Sequence, residues 1–186
     1  LASSLTGLAA GKKGIPTYID KNSTALGADA VGFVFAPSTR QVAPSIAGDI
    51  ARRLPADIMT VGVFRDEAPK RVVEIVNSEG LRAAQLHGHE SPEDCRWIAE
   101  RVPVTIRALA AGSSDLRRFD DFGVDLLLLD SPIPGSGEVF DWSLAEAGPG
   151  RRQMLLAGGL DPGNVASAIE RVGPYGVDVS SGGESR

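Results

Sequence analysis

Residues 126–130 read Leu-Leu-Leu-Leu-Asp, four consecutive apolar side chains followed by a carboxylate. A strand with one solvated face alternates apolar and polar residues, whereas an unbroken apolar run is typical of a parallel strand covered on both faces. In barrels of parallel strands, chemistry is placed where the strands end and the loops begin. The stretch therefore predicts a buried parallel strand that ends at a candidate functional residue, Asp130.

Short apolar runs of this kind recur at intervals of roughly 20 to 30 residues, which is the length of one strand with one crossover helix. They span residues 31–35, 59–64, 83–86, 102–106, 126–129, 154–157 and 177–179. The segments between them carry helical signals. Apolar spacing predicts helices at 44–54 and 67–79, and Ser91-Pro92 and Asp161-Pro162 are typical helix starts.

The repeated β-α pattern continues without a linker or a low-complexity segment, so residues 1–186 are predicted to form a single domain. Seven clear strands fit either a (β/α)8 barrel with one strand unseen or a large open sheet. No G-x-G-x-x-G motif follows the first clear run, so a dinucleotide-binding sheet has little support and we favour the barrel. Residues 15–19 are a candidate for the missing strand.

Composition and charge restrict the function classes. The formal net charge is −5, which argues against broad nucleic-acid binding. No apolar run approaches the ~20 residues that span a membrane, and residues 1–10 lack a signal-peptide pattern. One cysteine, Cys95, suits a reducing compartment. We expect a cytoplasmic protein with no nucleic-acid or membrane partner.

Polar side chains gather just past the apolar runs, as expected of a small-molecule site. These residues are Arg40, Gln85, His87, Arg107, Asp130 and Asp178. Apolar surroundings disfavour the charged form of a carboxyl group, so Asp130 suits a general acid; the alternative is a helix cap or an ion-pair partner. Gln85 and His87 flank one residue of a strand and should point the same way. Arg40 offers a planar fork for a carboxylate or phosphate, or is a solvated surface residue.

Two glycine-containing loops resemble phosphate sites. Gly158-Gly159 follows the seventh predicted strand, and Ser180-Ser181-Gly182 follows the eighth. Glycine lets the backbone approach an anion, and barrels often bind phosphate with these two loops. Tight turns are the alternative interpretation of both.

Other motifs are weaker. His87 and His89 lack an evident third ligand, so we expect no metal site. Cys95 lies in a predicted helix and is expected to be a small buried hydrophobic residue. Gly135-Ser136-Gly137 is a candidate for a mobile loop that closes over a ligand.

Taken together, the motifs resemble phosphoribosylanthranilate isomerase of tryptophan biosynthesis. The matching stretches follow the family order over residues 27–184. They are GADAVGFVF (27–35), VGVF (61–64), QLHG (85–88), LLD (128–130), GSG (135–137), FDW (140–142), AGGL (157–160) and GVDVSSG (176–182).

The resemblance implies a (β/α)8 barrel that uses no cofactor. The reaction would be the Amadori rearrangement of N-(5′-phosphoribosyl)anthranilate to 1-(2-carboxyphenylamino)-1-deoxy-D-ribulose 5-phosphate. Asp130 would be the general acid that protonates the ribose ring oxygen, and Arg40 would pair with the anthranilate carboxylate. The roles implied for the remaining residues are substrate binding by Gln85, His87 and Asp178, and phosphate binding by Gly158, Gly159, Ser180, Ser181 and Gly182.

The sequence departs from the family at both ends. The family's first strand carries Lys-x-Cys-Gly, whose cysteine is the general base. Here Lys12-Lys13-Gly14 is only superficially similar to that motif, and the single cysteine, Cys95, lies in another segment. Residues 1–26 are not expected to match the family, and a final helix is not found before Arg186. The first β/α unit and the last helix are therefore the incomplete parts of the expected barrel.

Two alternative functions stay open. One is a catalytically impaired or inactive relative that only binds a phosphorylated ligand, since the cysteine base is missing. The other is a different sugar-phosphate isomerase or epimerase barrel. Histidine-pathway barrels usually have a pair of aspartates at the ends of the first and fifth strands, but Arg107 is expected at the end of the fifth strand here. For an epimerase, His87 and His89 do not supply the metal ligands. In each case the partner is a small phosphorylated molecule, and the assembly is expected to be a monomer or homodimer.

Overall fold

The computed structural model describes residues 28–131 and 153–179, together with the backbone of residues 5–10. Several sequence predictions lie outside these residues. They are the candidate strand at 15–19, the Gly135-Ser136-Gly137 loop and the phosphate loop Ser180-Ser181-Gly182.

Eight strands form a closed barrel in which neighbours in sequence are neighbours in space. The strands are β1 Leu5–Ala10, β2 Ala30–Val34, β3 Met59–Phe64, β4 Ala83–Leu86, β5 Thr105–Ala110, β6 Leu126–Asp130, β7 Met154–Leu156 and β8 Gly176–Val179. Each of the seven predicted runs overlaps a strand, and the predicted runs at 59–64 and 83–86 have the observed bounds. The barrel architecture is confirmed.

The eighth strand differs from the expectation. Strands β2 to β8 run parallel to one another, whereas β1 pairs antiparallel with both β2 and β8. It comes from residues 5–10, and the candidate strand at 15–19 lies outside the described residues. The edges of β2 and β8 would otherwise carry unpaired backbone N–H and C=O groups, and this short segment satisfies both. Its carboxyl end lies at the rim opposite to that of the parallel strands.

The helices connect the strands on the outside. They are α1 Pro44–Ala51, α2 Pro69–Ser78, α3 Pro92–Ala99, α4 Val165–Val172 and a 3₁₀ helix, Ser114–Phe122. Ser91 caps α3 as predicted, since its hydroxyl accepts a hydrogen bond from Asp94 N over 3.1 Å. None of the helices in the described ranges is long and apolar enough to cross a membrane.

The alternation of side chains along the strands separates two cores. Ile106, Ala108, Leu128 and Leu155 fill the barrel interior. Leu127 and Leu129, their neighbours on β6, belong to a separate cluster outside the barrel. Burial on both faces explains why β6 is an unbroken apolar run. The inward positions continue upward to the carboxyl rim, where polar residues replace apolar ones.

The predicted fifth strand, 102–106, is displaced by three residues. Val102 lies in the turn after α3, where its N–H donates to Ile98 O over 3.1 Å. The strand begins at Thr105, whose N–H donates to Asp125 Oδ2 over 2.7 Å. It then continues past Arg107, because that side chain lies on the outer face of the wall and is paired there.

Candidate active site

Asp130 is the last residue of β6 and lies at the carboxyl rim of the barrel, as predicted. The residue is 7% exposed. Its Oδ1 accepts a hydrogen bond from Ser131 N over 2.7 Å, and its Oδ2 lies 3.3 Å from Nε2 of His87. One carboxyl oxygen is thus held by the backbone and the other by an imidazole, which fixes the orientation of the group.

Gln85 and His87 are brought together by the alternation of β4, as the sequence predicts. Gln85 Nε2 lies 3.3 Å from His87 Nδ1. With the amide nitrogen donating to Nδ1, the imidazole hydrogen lies on Nε2 and is donated to Asp130. Gln85 Oε1 is buried without a hydrogen-bond partner in the described ranges, so it is a polar atom available to a ligand.

Asp178 lies on β8, two strands along the barrel from Asp130 on β6. Leu129 pairs with Leu156, and Leu156 with Val177, so the following residues on β6 and β8 share one layer. Burial raises the pKa of Asp178 to about 8, with a further increase from the Asp130 charge and an opposing effect of Arg40. Burial therefore favours the protonated form of the Asp178 carboxyl. Its Oδ1 has no hydrogen-bond partner among the residues described.

Arg40 lies at the same rim, in the turn after β2. It is partly buried, and its charge acts on the buried carboxyl of Asp178. Arg40 follows β2 and Asp178 lies on β8, and these two strands flank β1. The structure therefore brings a cation to the side of the mouth next to β8. The role of Arg40 as a planar fork for a carboxylate or phosphate stays a prediction.

Gly158 and Gly159 follow β7 and lie against Asp130. Their φ angles are +86° and +64°, a left-handed backbone that favours glycine. A Cβ at Gly158 would lie 2.6 Å from Ser131 N and 2.9 Å from Asp130 Oδ1. Only glycine lets this turn approach the carboxyl group so closely. The second half of the predicted phosphate site, Ser180, Ser181 and Gly182, lies outside the described residues.

The remaining candidates do not join this site. Cys95 is fully buried in the cluster outside the barrel, and burial raises the pKa of its thiol to about 11. His89 turns away from His87, with an 87% exposed side chain whose Nδ1 lies 3.2 Å from Asp66 Oδ1. In the part of the chain that the structure describes, no three His, Cys, Asp or Glu side chains come together as metal ligands.

A cavity of about 390 Å³ opens beside His87. It lies between the turn after β4 and the 3₁₀ helix, and its lining includes Arg65, Arg107, Ser113 and Phe122. His87 is the residue that it shares with the site around Asp130. The barrel mouth therefore extends sideways from His87 toward β5.

The predicted position of Arg107 is wrong, and its partner Glu90 was not predicted from the sequence. The sequence places Arg107 at a strand end, but it lies in the middle of β5 on the outer face, with its guanidinium carbon 5.3 Å from the centre of the Phe122 ring. Its side chain pairs with buried Glu90 at 2.6 Å. Seventeen residues separate the two, so no local pattern reveals the pair. The fifth strand still ends without an aspartate, at Ala110.

The fold and the rim residues define an α/β-barrel enzyme with a carboxyl and imidazole site at the carboxyl ends of its strands. The family model for N-(5′-phosphoribosyl)anthranilate isomerase matches residues 17–186 of the chain. The match begins ten residues earlier than the motifs suggest, which corrects the expectation that residues 1–26 lie entirely outside the family pattern.

Individual proteins agree with this match. N-(5′-phosphoribosyl)anthranilate isomerase of Desulforudis audaxviator is 49% identical over 178 residues, covering 91% of this chain and 86% of that protein. The crystal structure of the Thermus thermophilus phosphoribosyl anthranilate isomerase superimposes with a TM-score of 0.79 at 36% identity, covering 88% and 82% of the two chains. A phosphoribosyl anthranilate isomerase solved with reduced 1-(o-carboxyphenylamino)-1-deoxyribulose 5-phosphate gives a TM-score of 0.74 at 40% identity, covering 88% and 81%.

The chain belongs to the N-(5′-phosphoribosyl)anthranilate isomerase family. It is accordingly an isomerase of tryptophan biosynthesis, and its fold is similar to that of the family's solved structures.

Proposed function

We propose that the chain rearranges N-(5′-phosphoribosyl)anthranilate to 1-(2-carboxyphenylamino)-1-deoxy-D-ribulose 5-phosphate, with Asp130 as the general acid. The observation that carries this assignment is the position of Asp130. Its carboxyl is buried at the end of β6, with one oxygen 3.3 Å from His87 and the other beside the Gly158 turn. A positioned acid at the mouth of a barrel is what opening of a sugar ring requires.

The reaction begins with two proton transfers. Asp130 in its protonated form gives its proton to the ribose ring oxygen, the C1′–O bond breaks, and the nitrogen lone pair forms the C1′=N bond of a Schiff base. A base then removes the C2′ proton, the electrons of that C–H bond form the C1′=C2′ bond, and the C1′=N pair returns to nitrogen, which gives an enaminol that tautomerises to the 2-ketone. Cys95 is not this base, because its thiol is buried outside the barrel and its pKa is raised to about 11.

The other rim residues hold the substrate. Gly158 and Gly159 bind the phosphate through backbone N–H groups, together with Ser180, Ser181 and Gly182 of the following loop. Arg40 pairs with the anthranilate carboxylate. Gln85 and Asp178 each have a buried oxygen without a partner among the described residues, and these atoms suit the substrate's hydroxyl and amino groups.

The substrate is a small phosphorylated molecule, and no cofactor takes part in the proposed steps. The chain acts in the cytoplasm as a monomer or homodimer. The alternative candidate, binding of a phosphorylated ligand without turnover, is not favoured, since the curated relatives are named as isomerases.

The test is to incubate the full chain with N-(5′-phosphoribosyl)anthranilate and follow the loss of anthranilate fluorescence. Steady turnover is expected. Binding of the substrate by equilibrium dialysis without turnover would instead establish the ligand-binding candidate. Turnover of a histidine-pathway aminoaldose phosphate but not of the anthranilate compound would identify a different sugar-phosphate isomerase.

A further inference from the structure

A buried ion pair that the proposed mechanism does not use lies beside the backbone of His87. The side chains of Glu90 and Arg107 are 4% and 3% exposed, and Arg107 Nη1 donates to Glu90 Oε2 over 2.6 Å. Such a pair is weak evidence for stability, because taking two charges out of water costs about as much as their attraction returns. Its hydrogen bonds show what it holds in place.

Arg107 binds the carbonyl groups on both sides of His87. Nη1 donates to Leu86 O over 2.9 Å, and Nη2 donates to Gly88 O over 2.9 Å. The planar guanidinium fork can reach both acceptors at once, which a lysine ammonium on a flexible stem does not reproduce. The backbone immediately before and after His87 is therefore fixed from the outer face of the barrel wall.

Glu90 holds the same turn from its other side. Its Oε2 accepts from Gly88 N over 2.9 Å, and its Oε1 accepts from Asp66 N over 2.9 Å. Asp66 follows β3 and has a φ of +53°, which is uncommon for a residue other than glycine. The carboxylate thus ties the turn after β4 to the end of β3.

We infer that Glu90 and Arg107 are positioning residues, which fix the turn around His87 so that its imidazole meets Asp130. Neither needs to touch the substrate. Arg107 and Glu90 bind main-chain atoms of Leu86 and Gly88, on either side of His87, and His87 N itself donates to Phe64 O over 2.8 Å. With the backbone held at these points, the imidazole of His87 is directed to Oδ2 of Asp130, 3.3 Å away. This inference rests on the proposed role of Asp130 as the acid.

The kinetic test uses Glu90→Gln and Arg107→Lys, which each keep part of the hydrogen bonding of the pair. The matched control is Glu100→Gln, which breaks a similar pair, Glu100 with Arg101 at 2.9 Å, on the exposed surface. We expect kcat to fall by about 10- to 100-fold in the two test variants, with KM nearly unchanged, because small displacements of a reacting group are costly. The kcat of the control should stay within about twofold of that of the parent, because ion pairs on the exposed surface contribute little.

A double-variant comparison links the effect to His87. In a His87→Ala background, Glu90→Gln should lower kcat no further, since residues that act through one another are not additive. Circular dichroism and the thermal midpoint of each variant establish that kcat is referred to folded protein.

A spectroscopic test is independent of turnover. The chain has two histidines, His87 and His89, so its imidazole ¹⁵N spectrum contains two residues. In the parent protein His87 should show a single tautomer with hydrogen on Nε2, and in Glu90→Gln and Arg107→Lys a mixture of tautomers. This readout remains informative if the parent chain does not turn over the substrate, so failure of the proposed function and failure of this inference are distinguishable.

Two results would overturn the inference. One is an unchanged His87 spectrum in both folded variants. The other is a fall in kcat that persists at full size in the His87→Ala background, since the pair would then act by another route.

Discussion

Nε2 of His87 and Oδ2 of Asp130 lie 3.3 Å apart, joining the carboxyl ends of β4 and β6 at the barrel rim. The contact orients the carboxyl group through one oxygen, while Ser131 N holds the other. An acid held at both oxygens needs little rearrangement before it meets a ring oxygen, and such pre-organisation is a principal source of catalytic rate.

Gly158→Ala should damage both stability and activity. The φ of +86° strains any side chain there, and the new Cβ would lie 2.9 Å from Asp130 Oδ1. Gly80→Ala is the control: its φ is +69°, but a Cβ there meets nothing within 4 Å. Thermal unfolding and kcat/KM check both variants. We expect Gly80→Ala to lose ~1–2 kcal/mol with normal kcat/KM, and Gly158→Ala to lose more and to fall at least ~10-fold in kcat/KM. Equal behaviour of the two would contradict the close approach to Asp130.

Asp178→Asn should change how stability depends on pH. Burial, with a smaller effect of Asp130, raises the pKa of folded Asp178 to about 8, against 3.8 for the ordinary side chain. Between these values the unfolded chain releases this proton while the folded chain keeps it, so the free energy of unfolding falls as pH rises. Below the unfolded value and above the folded value the contribution is constant. Asn has no such titration.

The thermal midpoint of Asp178→Asn relative to the parent should therefore increase steadily from pH 4 to pH 8 and then level off. Melting curves for both proteins in matched buffers provide the measurement. Parallel midpoints across this interval would show that the carboxyl titrates normally in the folded protein.

Arg40→Lys should weaken substrate binding more than turnover. Lysine keeps the positive charge but lacks the planar fork that binds a carboxylate through two hydrogen bonds. We expect KM to rise about 10-fold, which corresponds to ~1.4 kcal/mol of binding energy. Arg53→Lys, at an exposed position after α1, is the control for the same chemical change. A KM for Arg40→Lys equal to that of the control would remove the assigned role.

Much of the barrel could be predicted because burial on both faces leaves a visible pattern. The four leucines of β6 and the runs of β3 and β4 are apolar at nearly every position. The pattern failed at Arg107, because its partner, Glu90, is distant in sequence and only the fold shows that the charge is neutralised. It also failed at β1, whose sequence LTGLAA is short and poor in β-branched residues.

The candidate site was predictable where it depends on the strand period. Alternation along β4 placed Gln85 and His87 on one face, and the last residue of β6 was placed at the rim. The raised pKa of Asp178 could not be predicted, since it depends on burial and on Asp130, which lies two strands away in the closed barrel.

The most direct measurement is the turnover number of Asp130→Asn with N-(5′-phosphoribosyl)anthranilate. The amide keeps the shape of the side chain but has no acidic proton to give. Asp120→Asn, an exposed change on the 3₁₀ helix, is the control and should match the parent. The account predicts that kcat of Asp130→Asn falls by ~10²–10⁴-fold while substrate binding by equilibrium dialysis is retained. A kcat within a few-fold of the parent would contradict the assignment of Asp130 as the acid.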